Sequence, residues 1–230
     1  MSSIKENLER LRSEIAEISI RAGRSPEEVR LVGVTKHVSP GRIQEAVDAG
    51  LKTLGENRIQ EAREKVAAIT GDVSWHMIGH LQRNKVKPAV ELFDVIQSVD
   101  SAELAAEIDR RSAQAGHNLD VLIEVKTARE ETKFGVGACE AIDLIVKISE
   151  LSSIGVKGLM TIGTFTDDER EVRRCFRELR ELGEKAARLG LAGVEMAYLS
   201  MGMSSDFRVA IEEGSNMVRI GTAIFGVRPD

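Results

Sequence analysis

Eight short apolar runs, separated by helical stretches, constrain this sequence more than any other feature. They read RLVGVT, LKTLGE, SWHMIG, FDVIQSV, DVLIEV, VKGLMTIG, VEMAYLS and NMVRIG. Each is too short for a typical helix, and several are rich in Val and Ile, which suit a pleated strand. Between them, SPGRIQEAVDAG carries a Ser N-cap, Pro at the first helical position and a terminal Gly. DSAELAAEIDRRSAQAG sets Asp100 three residues before Glu103, the spacing of a capping box. In DDEREVRRCFRELRELGEKAARLG, Val172, Phe176 and Leu179 fall on one helical face, and the charges opposite read as a solvated surface.

Strands alternating with helices predict a parallel sheet with helices outside it. At 230 residues the count fits one α/β domain, a closed (β/α)8 TIM barrel over residues 1–230. A doubly wound open sheet is the alternative. Ile4, Leu8, Leu11, Ile15 and Ile18 form one stripe at spacings of three and four, which predicts an additional helix over about residues 3–22. Only TAIFGVRPD follows the last strand, so the final helix must be very short. The N-terminal helix is expected to cover the flank thereby left open.

Composition narrows the function. A net charge of −5 and 3% aromatic residues argue against a nucleic-acid partner. No run approaches the roughly 18 apolar residues of a membrane span, and the first segment is charged rather than signal-like. Cys139 and Cys175 lie far apart without a CxxC pattern, as free thiols in a reducing cytosol would. These features predict a cytoplasmic protein.

In such barrels chemistry collects at the C-terminal ends of the strands. The first strand is read as ending at Lys36. A lysine at a barrel mouth can lose solvation and attack a carbonyl as a Schiff-base former. The last strand runs into Gly221 and Thr222, where backbone N–H groups beside a short helix start suit a phosphate. Ser204 adds a hydroxyl from the preceding loop, or caps the following helix. Together these predict a phosphorylated aldehyde or ketone, either a sugar phosphate or pyridoxal 5′-phosphate (PLP). His76 and His80 lack the further ligands a metal site needs, and His80 reads as a helix start. Strand alternation turns His37 away from the mouth. KFGVG, Lys133 to Gly137, lacks the GK[ST] of a phosphate loop and reads as a glycine-assisted turn. Glu124 and Asp100 stand near strand ends, but no sequence argument pairs them.

LVGVTKHVSP, LGENRIQEA, WHMIGHLQRNK, LSMGMSSDF and VRIGTAIFG, in this order, resemble the PLP homeostasis protein family, also called the YggS or PROSC family. The resemblance implies a barrel like that of alanine racemase, with PLP as a Schiff base on Lys36. It further implies that Ser204, Gly221 and Thr222 hold the phosphate. Arg219 would face the pyridine nitrogen and Asn57 would lie near the cofactor. Leu54 and Arg58 depart from the Phe and Tyr common in the family, and MTIGTFTDD differs from its usual proline-containing loop.

Three readings follow: a non-catalytic carrier delivering PLP to apo-enzymes, a PLP-dependent amino-acid racemase, and a Schiff-base aldolase. Racemisation needs an acid/base on each substrate face. The related racemase takes a tyrosine from a second domain, whereas the one tyrosine here, Tyr198, lies inside the seventh strand. The carrier is therefore favoured, with no catalytic residue assigned.

Overall fold

The computed structural model describes residues 3–128, 134–164 and 166–226. Among them, eight parallel strands close into a barrel: β1 (Arg30–Val34), β2 (Thr53–Glu56), β3 (Ser74–Met77), β4 (Val95–Val99), β5 (Leu119–Lys126), β7 (Ile154–Met160), β8 (Val194–Ser200) and β9 (Met217–Ile220). A two-residue spur, β6 (Val136–Gly137), pairs with the end of β5. The order is β4-β3-β2-β1-β9-β8-β7-β5, and β4 pairs with β5 to close the ring through Val95↔Asp120 and Ile96↔Val121. All eight apolar runs of the sequence became these strands, and the open-sheet alternative is excluded.

Helices α2 (Pro40–Asp48), α3 (Ile59–Ala68), α4 (Val86–Leu92), α5 (Ala102–Ala115), α6 (Ala141–Ile148), α7 (Glu169–Ala187), α8 (Phe207–Glu212) and α9 (Thr222–Phe225) cover the outside. None of the described helices is long and apolar enough to cross a membrane. The large core lies between helices and barrel, where Leu54, Ile96, Val121, Leu159 and Val218 meet Ile43, Leu104, Ile145 and Phe176. A smaller apolar layer, Val32, Leu122, Met160 and Met217, fills the barrel interior. Each such side chain contributes about 1.5–3 kcal/mol on burial.

α1 (Ile4–Arg21) starts with a capping box: Glu6 N–H donates to Ser3 Oγ, and Ser3 N–H to Glu6 Oε2. Its five-residue stripe is buried, and Asn7 Nδ2 donates to the Ile224 carbonyl of the four-residue α9 at 3.0 Å. The N-terminal helix therefore does cover the flank that the short final helix leaves open.

Four local expectations need correction. β1 ends at Val34, so Lys36 stands in the turn beyond it, not on the strand. His37 has φ 60°, which removes it from strand alternation altogether. The N-cap of α5 is Ser101 rather than Asp100 and makes no side-chain capping bond; Ser101 Oγ donates to Asp100 Oδ1 at 3.2 Å, and Asp100 Oδ2 lies 3.6 Å from His80 Nδ1. His80 precedes a 3-10 turn at Arg83–Lys85 and starts no helix. Phe134–Gly137 of KFGVG lies among the described residues and runs into β6, with Gly135 at φ 110°, while Lys133 falls outside them.

Candidate functional site

β1 delivers the chain to the C-terminal mouth. Thr35 N–H extends the ladder by one bond, to Gly55 O at 3.0 Å. Val38 N–H then donates to Thr35 O at 3.0 Å, closing a four-residue turn with Lys36 and His37 at its centre. Positive φ at the third position of such a turn normally selects Gly or Asn, so His37 there is costly. Lys36 lines a cavity of about 210 Å³ with Ser39, Arg42, Gly221, Thr222 and Phe225. The N–H groups of Thr222 and Ala223, in the first turn of α9, have no helical acceptor. Arg42, a cation the sequence reading missed, donates to Phe225 O at 2.5 Å across this cavity.

The other expected residues, Ser204, Asn57 and Arg219, do not line that cavity. Ser204 is exposed and lines a neighbouring crevice with Asn7, Phe207 and Ala223. It does not cap α8, whose N-cap is Asp206. Asn57 lines another crevice with Arg58, His80 and Lys85. The chain at Gly79 passes so close that a Cβ there would meet Asn57 O at 2.6 Å, which only glycine tolerates.

Arg219 lies inside the barrel, buried. Its Nη1 donates to Ser200 Oγ at 2.6 Å and its Nη2 to Thr161 O at 2.8 Å. Ser200 Oγ donates to Gln97 Oε1 at 2.6 Å, and Gln97 Nε2 lies 2.7 Å from His76 Nδ1. Because the amide donates, His76 Nδ1 accepts and the ring proton sits on Nε2. Burial, with the charge of Arg30 adding, pulls His76 down to about 3, so it stays neutral. Burial also lowers Arg219 to about 10, against Glu124 and Asp206. It remains protonated at neutral pH.

Glu124, on β5, faces the same interior. Burial pushes it up to about 7, the charge of Asp100 adds, and Arg219 opposes. Its Oε2 is buried and has no hydrogen-bond partner among the described residues. The interior thus pairs a buried cation with a carboxyl that titrates near neutrality. A sequence signal existed: Gln97 in VIQSV and Ser200 in AYLS are polar residues in apolar strands, at positions an interior network requires.

The fit to a phosphorylated aldehyde rests on this donor set. The Lys36 amine, the first turn of α9 at Thr222 and the Arg42 guanidinium line one cavity. A buried guanidinium stands nearby in the barrel interior.

Residues 6–229 match the family model described as alanine racemase, N-terminal domain. The pyridoxal phosphate homeostasis protein of Aquifex aeolicus is 44% identical over 224 residues, covering 97% of each chain. That of Escherichia coli is 38% identical over 234 residues, covering 99% of this chain and 98% of the relative. PipY of Synechococcus elongatus, solved with PLP bound, superposes with a TM-score of 0.87 at 34% identity, over 97% of this chain and 100% of that one. An alanine racemase from Clostridium difficile shares the fold at 17% identity, with a TM-score of 0.80 over 99% of this chain and 57% of the racemase. The chain belongs to the alanine racemase N-terminal domain family and, within it, to the pyridoxal phosphate homeostasis proteins.

Proposed function

We propose that this chain is a cytoplasmic PLP carrier that holds PLP as a Schiff base on Lys36 and delivers it to apo-enzymes. The observation that carries the reading is that Lys36, Gly221 and Thr222 line one cavity at the barrel mouth. PLP supplies an aldehyde, which an amine captures covalently, and a phosphate dianion, which amides and guanidinium groups hold. The likeness to PipY, a relative solved with PLP bound, supports the same ligand here. Gly221 and Thr222 would take the phosphate, with Arg42 adding charge from the facing wall. Ser204 would reach the same phosphate from its neighbouring crevice, and Arg219 would face the ring nitrogen as a permanent donor. Asn57 would stand at the rim.

The carrier reading draws on what surrounds Lys36. Tyr198 sits in β8 with the Arg30 guanidinium 4.9 Å from its ring centroid, and it does not line the Lys36 cavity. Racemisation needs two acid/base groups. Glu124, near neutrality in its protonation, is the one observation on the racemase side. The test is to incubate PLP-loaded protein with L-alanine in deuterated water and then add an apo-enzyme. Transfer of PLP with little α-hydrogen exchange and little D-isomer is expected. Robust racemisation that disappears in Lys36→Ala would establish the racemase instead.

The phosphate grip has its own expected result. With two or more charge-assisted hydrogen bonds at about 1.5–3 kcal/mol each, PLP should bind at least about 100-fold more tightly than pyridoxal. Equilibrium dialysis with both ligands measures the ratio. Comparable affinities would remove the phosphate from the recognition scheme.

A further inference from the structure

The turn that carries Lys36 is not held by a strand, and its third position is a histidine at φ 60°. Such a conformation persists only where the surroundings over-determine it. The surroundings here are charged and buried. Lys65, on the inner face of α3, is 6% exposed and uses its ammonium three times. It donates to Thr35 O at 2.8 Å, to Glu56 Oε1 at 2.6 Å and to Glu61 Oε2 at 3.2 Å. Glu56 Oε1 also accepts from Thr35 Oγ1 at 2.5 Å, and Glu61 Oε2 accepts from His37 N–H at 3.0 Å. The two residues flanking Lys36 are thus both tied to one ammonium, one directly and one through a carboxylate.

We propose that Lys65, with Glu56 and Glu61, is a positioning device for Lys36: it clamps Thr35 on one side and His37 on the other, and so presents the Lys36 amine to the cavity it shares with Gly221 and Thr222. The clamp explains why a buried lysine and a fully buried glutamate lie between β2 and α3, where an apolar pair would fill the layer without desolvating charge. It also explains the tolerance of histidine at positive φ. Glu61 shows the clamp electrostatically. Burial pushes its carboxyl up, but the His37 N–H, Lys65 and the His37 ring together hold it below the usual carboxylate value.

The inference rests on the proposed role of Lys36, and its test separates the two. Lys65→Met alone strands the Glu56 carboxylate in the core. The decisive variant is therefore Glu56→Gln/Lys65→Met, which removes both charges and keeps an acceptor for Thr35. Glu61→Gln, at a partly buried position, weakens the carboxylate that joins Lys65 to His37 and should lower His37 protection by a smaller factor. Three readouts apply: thermal melting, amide hydrogen exchange at His37 and Val38 in the protein without PLP, and the fraction of Lys36 trapped by borohydride with PLP. In the double variant, a near-native melt should accompany a loss of about tenfold or more in His37 protection. The trapped fraction should fall by about tenfold. Adding His37→Gly, which removes the cost of positive φ, should partly restore trapping, and the near-native melt of the double variant is what excludes a general loss of stability. Unchanged protection and trapping in the double variant would overturn the clamp. Absence of a Lys36 adduct in the wild type would overturn the PLP assignment, and hydrogen exchange would still decide the clamp.

Discussion

Lys36→Ala is expected to abolish the borohydride-reducible PLP adduct while changing stability by no more than about 0.5 kcal/mol, the usual cost at a position outside the core. Mass spectrometry of the reduced, digested protein reads the first outcome, and urea unfolding reads the second. The expectation is specific because the competing amines are placed differently. Lys65 is close in space, but all three of its donors are committed to Thr35, Glu56 and Glu61. A buried ammonium so held is a poor nucleophile. Lys85 lines the separate crevice with Asn57 and His80. Lys52 lines a cleft with Arg30 and Thr53, at the strand starts. An adduct of equal intensity on Lys85 would move the site to that crevice and sink the Lys36 assignment.

The second large effect concerns Glu124 and pH. Its carboxyl is raised from 4.5 to about 7 in the folded chain, first by burial, then by Asp100, against Arg219. Asp100 itself faces His80, and Asp206 also acts on Arg219. A carboxyl raised on folding binds its proton more tightly in the native state. The native state therefore loses stability as pH rises from the free-chain value through the folded one. At about 1.4 kcal/mol per unit, the wild type should lose about 3 kcal/mol to this group between pH 4.5 and pH 8. Glu124→Gln removes that loss. The variant should gain up to about 3 kcal/mol over wild type at pH 8, with the gain fading toward pH 4.5. Asp206, raised by burial, contributes a slope of the same sign in both proteins, so the difference isolates Glu124. Urea unfolding across this range decides the matter, and parallel wild-type and variant curves would refute it.

The barrel was legible because its determinants are local. RLVGVT and its seven counterparts each bury a strand, and the stripe from Ile4 to Ile18 buries a helix face, so period and length suffice. The candidate lysine was legible too, since Lys36 stands just past an apolar run at the end where barrels carry chemistry. Its support was not. Sequence spacing placed Lys36 on a strand, but β1 stops at Val34 because the chain must turn into α2. What holds that turn is Lys65, distant in sequence and brought beneath it by the packing of α3 on β2. The same is true of the interior. Gln97, Ser200, Arg219 and Glu124 come from four strands, and only closure of the ring aims them at one another. Periodicity reports which face of its own element a side chain occupies. Partners across elements, and the burial that shifts a carboxyl toward neutrality, arise only when the ring closes and water leaves.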